Sequence, residues 1–275
     1  MTAFIFNPSL IRQKEQEVEF LTFFHTHEFD VIDLPVVETF DWTGMTPDDL
    51  SLMPRRETWV QNGKVHTLRH DWTNAIVRYL QKYHVRSRQV AYSGPVYKNG
   101  EGSHQFGMEV FSDVRADQQH GLALLLEFIR DRLQIGVQTA VISHYALLKS
   151  ILTPEQYTDP DIRRALSQRS TSRLQQLLGD HPLPQLLELQ PESQLHKLRE
   201  LYPELEPILG ELTAWEEEIR RAGIEAVYPD ITALPSQSYY DGVFIQLYEP
   251  GRTAPFASGG QYTAQSKAFG MGIFY

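Results

Sequence analysis

One unbroken stretch of helical character, residues 144–222, separates two regions of strand character in this chain. Leu, Gln, Glu and Arg dominate the stretch, and apolar residues recur at helical spacing: Ile162/Leu166, Leu174/Leu177/Leu178 and Leu212/Trp215/Ile219. Prolines at 182, 184, 191, 203 and 207 punctuate it, so it reads as several short helices. On either side the period is two. Val243, Ile245 and Leu247 point one way, while Phe244, Gln246 and Tyr248 point the other. Strands and helices that segregate like this do not build a doubly wound α/β sheet, and the chain has no GxGxxG, P-loop or repeat. The pattern predicts an α+β fold, an antiparallel sheet flanked by helices. Its core would be residues 1–143 and 223–275, with 144–222 inserted as a helical segment.

Leu10 to His27 reads as a helix with Ile11, Val18, Leu21 and Phe24 on its apolar positions. Phe29 to Pro35 reads as a short strand, residues 41–63 as a loop region with room for a short helix, and Lys64 to Leu68 as a strand. Asp71 is placed to cap a helix running to Tyr83, its carboxylate accepting a first-turn N–H. Gln89–Tyr97 and Gln105–Val110 form a hairpin across the turn signal Asn99-Gly100-Glu101-Gly102. Residues 119–134 form an amphipathic helix and Val137–Ser143 a strand.

Charge and composition remove whole classes of function. The formal charge is −10, from 25 basic and 35 acidic residues, and the basic clusters (Arg86/Arg88, Arg130/Arg132, Arg163/Arg164, Arg220/Arg221) are small and interrupted by acids. Such a surface repels a phosphate backbone, so no nucleic-acid partner is expected. There is no cysteine, which excludes disulfides, thiolate nucleophiles and Cys-ligated metals. No apolar run approaches the ~18 residues of a membrane span, and the first residues lack a basic-then-apolar leader. A cytoplasmic location and no membrane contact are expected. His25 and His27 point apart on a helix, and with His66, His70 and His104 they form no zinc spacing, so neither metal nor cofactor is expected. Polar residues beside strands need partners, and Asp71, Thr73, Gln105, Glu109, Tyr240 and Tyr262 emerge as candidate cleft lining.

Taken in order, five segments resemble the histidyl-tRNA synthetase catalytic domain, of class II synthetase fold. They resemble more closely its paralogue family, the regulatory subunits of ATP phosphoribosyltransferase. Residues 29–38 (FDVIDLPVVE) look like the first class II motif, which in that family lies at the dimer interface. Residues 66–73 (HTLRHDWT) look like "LRP(D/E)xT", and YSGPVYK (92–98) followed by HQFGMEV (104–110) looks like the second motif. YYDGVF (239–244) resembles "DYYTGxxFE", and ASGGQY (257–262) resembles "AGGRYD". The resemblance implies that the six cleft residues surround histidine, with Asp71 and Glu109 able to hold an α-ammonium by charge-assisted hydrogen bonds.

The departures carry the functional expectation. By resemblance, the arginine that grips the α-phosphate is Lys98, which keeps the charge but loses the planar fork. The arginine acting on the carboxylate is Pro235, which has no donor. The arginine of "GGRYD" is Gln261. The third motif's ATP-binding arginine and the anticodon-binding domain would lie beyond Tyr275. Losing even one such donor costs about 3 kcal/mol of transition-state stabilisation, so aminoacyl-adenylate chemistry is not expected. The resemblance implies a non-catalytic subunit of the first enzyme of histidine biosynthesis. It would dimerise through its first-motif face, assemble as a hetero-octamer with the short-form catalytic subunit, and transmit inhibition by histidine. A stand-alone histidine sensor or scaffold, and an amino-acid-activating ligase, are the alternatives. Co-purification with the short transferase separates the first from the regulatory reading, and pyrophosphate exchange separates the second.

Overall fold

The computed structural model describes residues 8–40, 53, 56–235, 239–264 and 266–274. Contacts divide the chain into two compact units, Met1–Ile135 with Ala268–Tyr275, and Gly136–Lys267.

The first unit opens with α1 (Pro8–Thr26), β1 (Asp30–Ile32) and β2 (Val37–Phe40), then β3 (Thr58–Gln61) and β4 (Lys64–Leu68). It continues with α2 (Trp72–Tyr83), β5 (Gln89–Lys98), β6 (Glu101–Val110) and α3 (Arg115–Phe128), which runs into a π-helical turn, Ile129–Leu133. In α1 the chain buries Phe20, Phe23 and Phe24, and Phe20 packs on Phe106 and Phe128 with ring centroids 5.5 and 5.1 Å apart. Of the stripe expected from the sequence, Phe24 is buried, whereas Ile11 and Val18 are 48% and 65% exposed. Aromatic area outweighs a looser aliphatic spacing in deciding which face turns inward.

Two Asn-Gly turns set the hairpins. Asn99 and Gly100 both take positive φ (53° and 82°), so the loop has two residues, with Lys98 opposite Glu101 and Tyr97 opposite Gly102. That is one pairing tighter than the four-residue turn the sequence suggested, as a primed two-residue turn requires. Asn62 and Gly63 do the same (φ 52° and 73°), joining β3 to β4. The loop reading of 41–63 therefore missed a strand, whose signal was this Asn-Gly pair. The short helix expected there falls on positions, 41–52 and 54–55, that lie outside the described residues.

Two sheets result in this unit: a three-stranded one ordered β2-β4-β3, and the run β1-β5-β6 continued by β11 (Lys267–Phe274). β5, β6 and β11 are antiparallel, as expected, and β1 joins β5 in parallel, which makes the sheet mixed at this edge. The parallel pairing has a plain origin: β1 returns to the sheet through the three-stranded segment and α2, a crossover long enough to preserve direction.

The second unit begins with β7 (Thr139–His144). Seven α-helices follow: α4 (Ala146–Ile151), α5 (Pro154–Thr158), α6 (Pro160–Ser167), α7 (Thr171–Leu178), α8 (Leu183–Leu187), α9 (Pro191–Leu201) and α10 (Glu206–Arg221). Pro154, Pro160 and Pro191 start their helices, where a missing N–H costs nothing. Ile162, Leu166, Leu174, Leu212, Trp215 and Ile219 are all buried, as their spacing predicted. β8 (Val227–Pro229), β9 (Tyr240–Tyr248) and β10 (Ala257–Thr263) complete a run ordered β10-β9-β7-β8, again with one parallel pairing, β7 with β8. Val243, Ile245 and Leu247 are fully buried on one face of β9, while Phe244, Gln246 and Tyr248 on the other are only partly covered.

Candidate functional site

In the first unit the odd positions of β6 put Gln105, Gly107 and Glu109 on one face, and the even positions put Phe106, Met108 and Val110 on the opposite one. Across the ladders, Tyr92 stands opposite Gly107 and Gly270 opposite Glu109. A Cβ at Gly107 would collide with the Tyr92 hydroxyl, at Gly270 with the Glu109 carboxylate, and at Gly272 with the Gln105 amide. Three glycines thus form a floor on which three polar side chains lie flat. Thr73, from the first turn of α2, donates its hydroxyl to Glu109 Oε1 at 2.7 Å. The Tyr92 hydroxyl also reaches Glu109 Oε1, at 3.5 Å, and accepts from Gln105 Nε2 at 3.4 Å. Glu109 is fully buried. Three of the six expected residues, Thr73, Gln105 and Glu109, therefore share one network. Tyr92 is the member that sequence reasoning passed over, although its glycine partner across the hairpin was the available signal.

Asp71 does something else. Its backbone is extended (φ −158°) and its Oδ1 accepts the Asn74 N–H at 3.0 Å, the helix cap that the sequence predicted. Two residues earlier, Arg69 is 1% exposed. Its Nε donates to Pro95 O at 3.0 Å and its Nη1 to Leu34 O at 2.8 Å, and the guanidinium lies 3.5 Å over the Trp72 ring. Burial lowers its pKa to about 10, which leaves it charged at neutral pH. Arg69 joins three segments through carbonyls, and nothing in the residue pattern distinguished it from a ligand arginine.

The second unit holds the remaining expected residues. Tyr240 and Tyr262 face each other in the β9–β10 register, with perpendicular rings 6.5 Å apart, and Tyr239 and Phe244 pack on Tyr240 at 4.6 and 5.2 Å. Tyr262 is 1% exposed. The register shifts between Gly260 and Tyr262, at Gln261. Such an irregularity re-aims a side chain. Gln261 Oε1 accepts the buried Val243 N–H at 2.7 Å, and its Nε2 donates to Glu211 Oε1 of α10 at 2.9 Å. The other Glu211 oxygen faces His144 Nε2 at 3.4 Å. His144 Nδ1 accepts the Ala146 N–H at 3.2 Å, so Nε2 bears the proton and donates. The His144 hydrogen bond, joined by that of Gln261, holds the Glu211 pKa down at about 2. Glu211 sits on a helix face with no sequence signal of its own.

Lys98 is exposed at the end of β5, its Nζ 5.7 Å from the Phe274 ring centroid. Pro235 is half-buried and immediately precedes positions 236–238, which lie outside the described residues. His70 donates Nδ1–H to Tyr97 O at 3.2 Å, and burial, reinforced by Lys98 and Arg56, pushes its pKa down. Among the described residues no group of three or more His, Asp or Glu is arranged to hold a metal ion, and no helix is long and apolar enough to cross a membrane. A groove of about 660 Å³ runs along α1, lined by Ile11, Val18, Phe23 and Arg132 among others, and none of the six expected site residues lines it.

Known proteins resemble this chain over nearly its whole length. The family model described as histidyl-tRNA synthetase matches residues 3–273. An ATP phosphoribosyltransferase regulatory subunit/histidyl-tRNA synthetase from Bacillus halodurans superposes with a TM-score of 0.77, at 21% identity, over 99% of this chain and 82% of that one. The ATP phosphoribosyl transferase (HisG:HisZ) complex from Thermotoga maritima gives 0.71, at 16% identity, over 94% and 96%. These likenesses define the class: a histidyl-tRNA-synthetase-like domain. ATP phosphoribosyltransferase regulatory subunits from Staphylococcus aureus strains Newman and JH1 are each 34% identical to the chain over 265 residues, 96% of this chain and 97% of theirs. The chain belongs to the ATP phosphoribosyltransferase regulatory subunit family.

Proposed function

We propose that this protein is the non-catalytic regulatory subunit of an ATP phosphoribosyltransferase, acting at the first step of histidine biosynthesis on a separate, short catalytic subunit. The full-length match to regulatory subunits carries the reading. The geometry at Gln261 supports it: where the synthetase pattern has an arginine, a neutral amide has both its polar ends bound within the chain. An amide engaged in this way offers no positive charge to a phosphate.

Histidine is the proposed effector. Thr73, Gln105 and Glu109 are proposed contacts in the first unit, where a carboxylate already receiving hydroxyl donors suits an ammonium or imidazole N–H. Asp71 is proposed as a second carboxylate contact, and Tyr240 and Tyr262 are proposed contacts in the second unit. Residues 144–222 are proposed as an insertion into the synthetase-like core, and the cytoplasm as the location. We also propose self-association as a dimer, within a hetero-octamer, through the first-motif face. Val31 and Val37 in that segment are 47% and 43% exposed, and the α1 groove has exposed Ile11 and Val18, apolar side chains that a second copy would cover.

Mixing the purified protein with the short transferase tests the reading in one preparation, with mass and phosphoribosyl-transfer rate measured with and without histidine. A complex that is more active than the catalytic subunit alone and loses activity with histidine is expected. Two non-interacting species, or activity indifferent to this protein, would overturn it.

A further inference from the structure

The Gln261–Glu211–His144 chain ties four elements together: β9 through the Val243 N–H, β10 through Gln261, α10 through Glu211, and the β7–α4 junction through His144. It starts at the irregularity in β10, one residue from Tyr262, and ends on the last long helix of the helical segment. We propose that Glu211 is a positioning residue that passes a change at Tyr262 and β10 to α10, and that this link carries the effect of histidine to the catalytic subunit. The inference rests on the functional reading above and deepens it by naming the element that transmits regulation.

The donor and acceptor pattern makes the link specific. Glu211 offers two acceptor oxygens, and each receives one donor, Gln261 Nε2 on one side and His144 Nε2 on the other. An amide has only one acceptor, so Glu211→Gln must set an N–H against an N–H on one side or the other. The reciprocal pair Glu211→Gln with Gln261→Glu restores every match. The carboxylate introduced at position 261 would accept from Val243 N–H and from the new amide at 211, whose oxygen would accept from His144. A displacement of β10 on ligand binding pulls directly on α10 only while this chain is continuous.

The test uses the assembled complex with the short transferase and three forms of this protein: unaltered, Glu211→Gln, and the reciprocal double variant. Histidine affinity is read by calorimetry, maximal inhibition by the transfer rate at saturating histidine, and folding by the thermal midpoint. For Glu211→Gln the expected result is an unchanged histidine affinity with the inhibitory effect of saturating histidine reduced about 5-fold or more, the lower end of ordinary coupling strengths. The double variant is expected to recover inhibition. A purely structural role would lower the midpoint and affinity together and leave inhibition at saturation intact; that result overturns the proposal. So does a double variant that folds and binds histidine normally but stays uninhibited. A complex of the unaltered protein that ignores histidine would instead sink the functional reading, a distinguishable failure.

Discussion

Arg69 and Gln261 stand at comparable places in the two units, each at a strand segment resembling a synthetase motif, and they have met opposite fates. At Arg69 the guanidinium remains, buried, donating to the carbonyls of Leu34 and Pro95 with its face on Trp72. At 261 the guanidinium of the related pattern is replaced by an amide bound to Val243 and Glu211. The difference separates two uses of arginine. Where the fork holds the scaffold it is kept, and where it would have met a substrate's charge the chain has an uncharged amide tied to a backbone N–H and to the Glu211 carboxylate.

The sharpest way to break this contrast is to remove the retained arginine. Arg69→Ala takes the side-chain donors away from the carbonyls of Leu34 and Pro95, and hydrogen bonds to a charged group contribute about 1.5–3 kcal/mol each, so a loss of about 3 kcal/mol or more is expected in urea unfolding. Arg69→Lys should recover little, because an ammonium cannot reach both carbonyls and cover the ring. A variant as stable as the unaltered protein would reduce Arg69 to a bystander.

Gly270→Ala probes the floor beside it. The new Cβ would occupy the place of the Glu109 carboxylate, and overpacking of this kind costs about 1–3 kcal/mol. Calorimetry should also show the histidine heat lost, since the carboxylate must turn away from Thr73. Asp71→Ala removes the cap on α2, for about 1 kcal/mol, and a thermal midpoint shift larger than Gly270→Ala would reverse the ranking.

The smallest effect belongs to the second unit. The Glu211 pKa is lowered from 4.5 to about 2 in the folded protein, so its contribution is fully present above pH 4.5 and fades as the pH falls towards 2. With the side chain partly exposed (31%), solvent screening keeps this at about 1 kcal/mol or less. Glu211→Gln should flatten that part of an acid-unfolding curve. An unchanged curve would mean that the Gln261 corner holds no charge worth protecting.

How much of this was legible in the sequence follows from range. The helical segment, the Asp71 cap and the two faces of β9 rest on local periods and could be read directly. β3 was missed because two lone exposed residues, Trp59 and Val60, give no alternation, and only Asn62-Gly63 marked the turn. The parallel strands β1 and β8 are three residues each, too short to declare their direction. Within the site, the six candidates could be named but their relations could not. The Thr73–Glu109 bond spans 36 positions and Gln261–Glu211 spans 50, and no local pattern records such pairings. Arg69 and Glu211 were invisible as structural residues because a charge on a strand or helix looks solvated until its burial is known.

The loss of substrate-facing arginine is most directly tested by ATP–pyrophosphate exchange with the purified protein, magnesium and histidine. A protein built as described gives no histidine-dependent exchange above a blank. Exchange at an ordinary enzymatic rate, surviving removal of contaminating ligases, would contradict it.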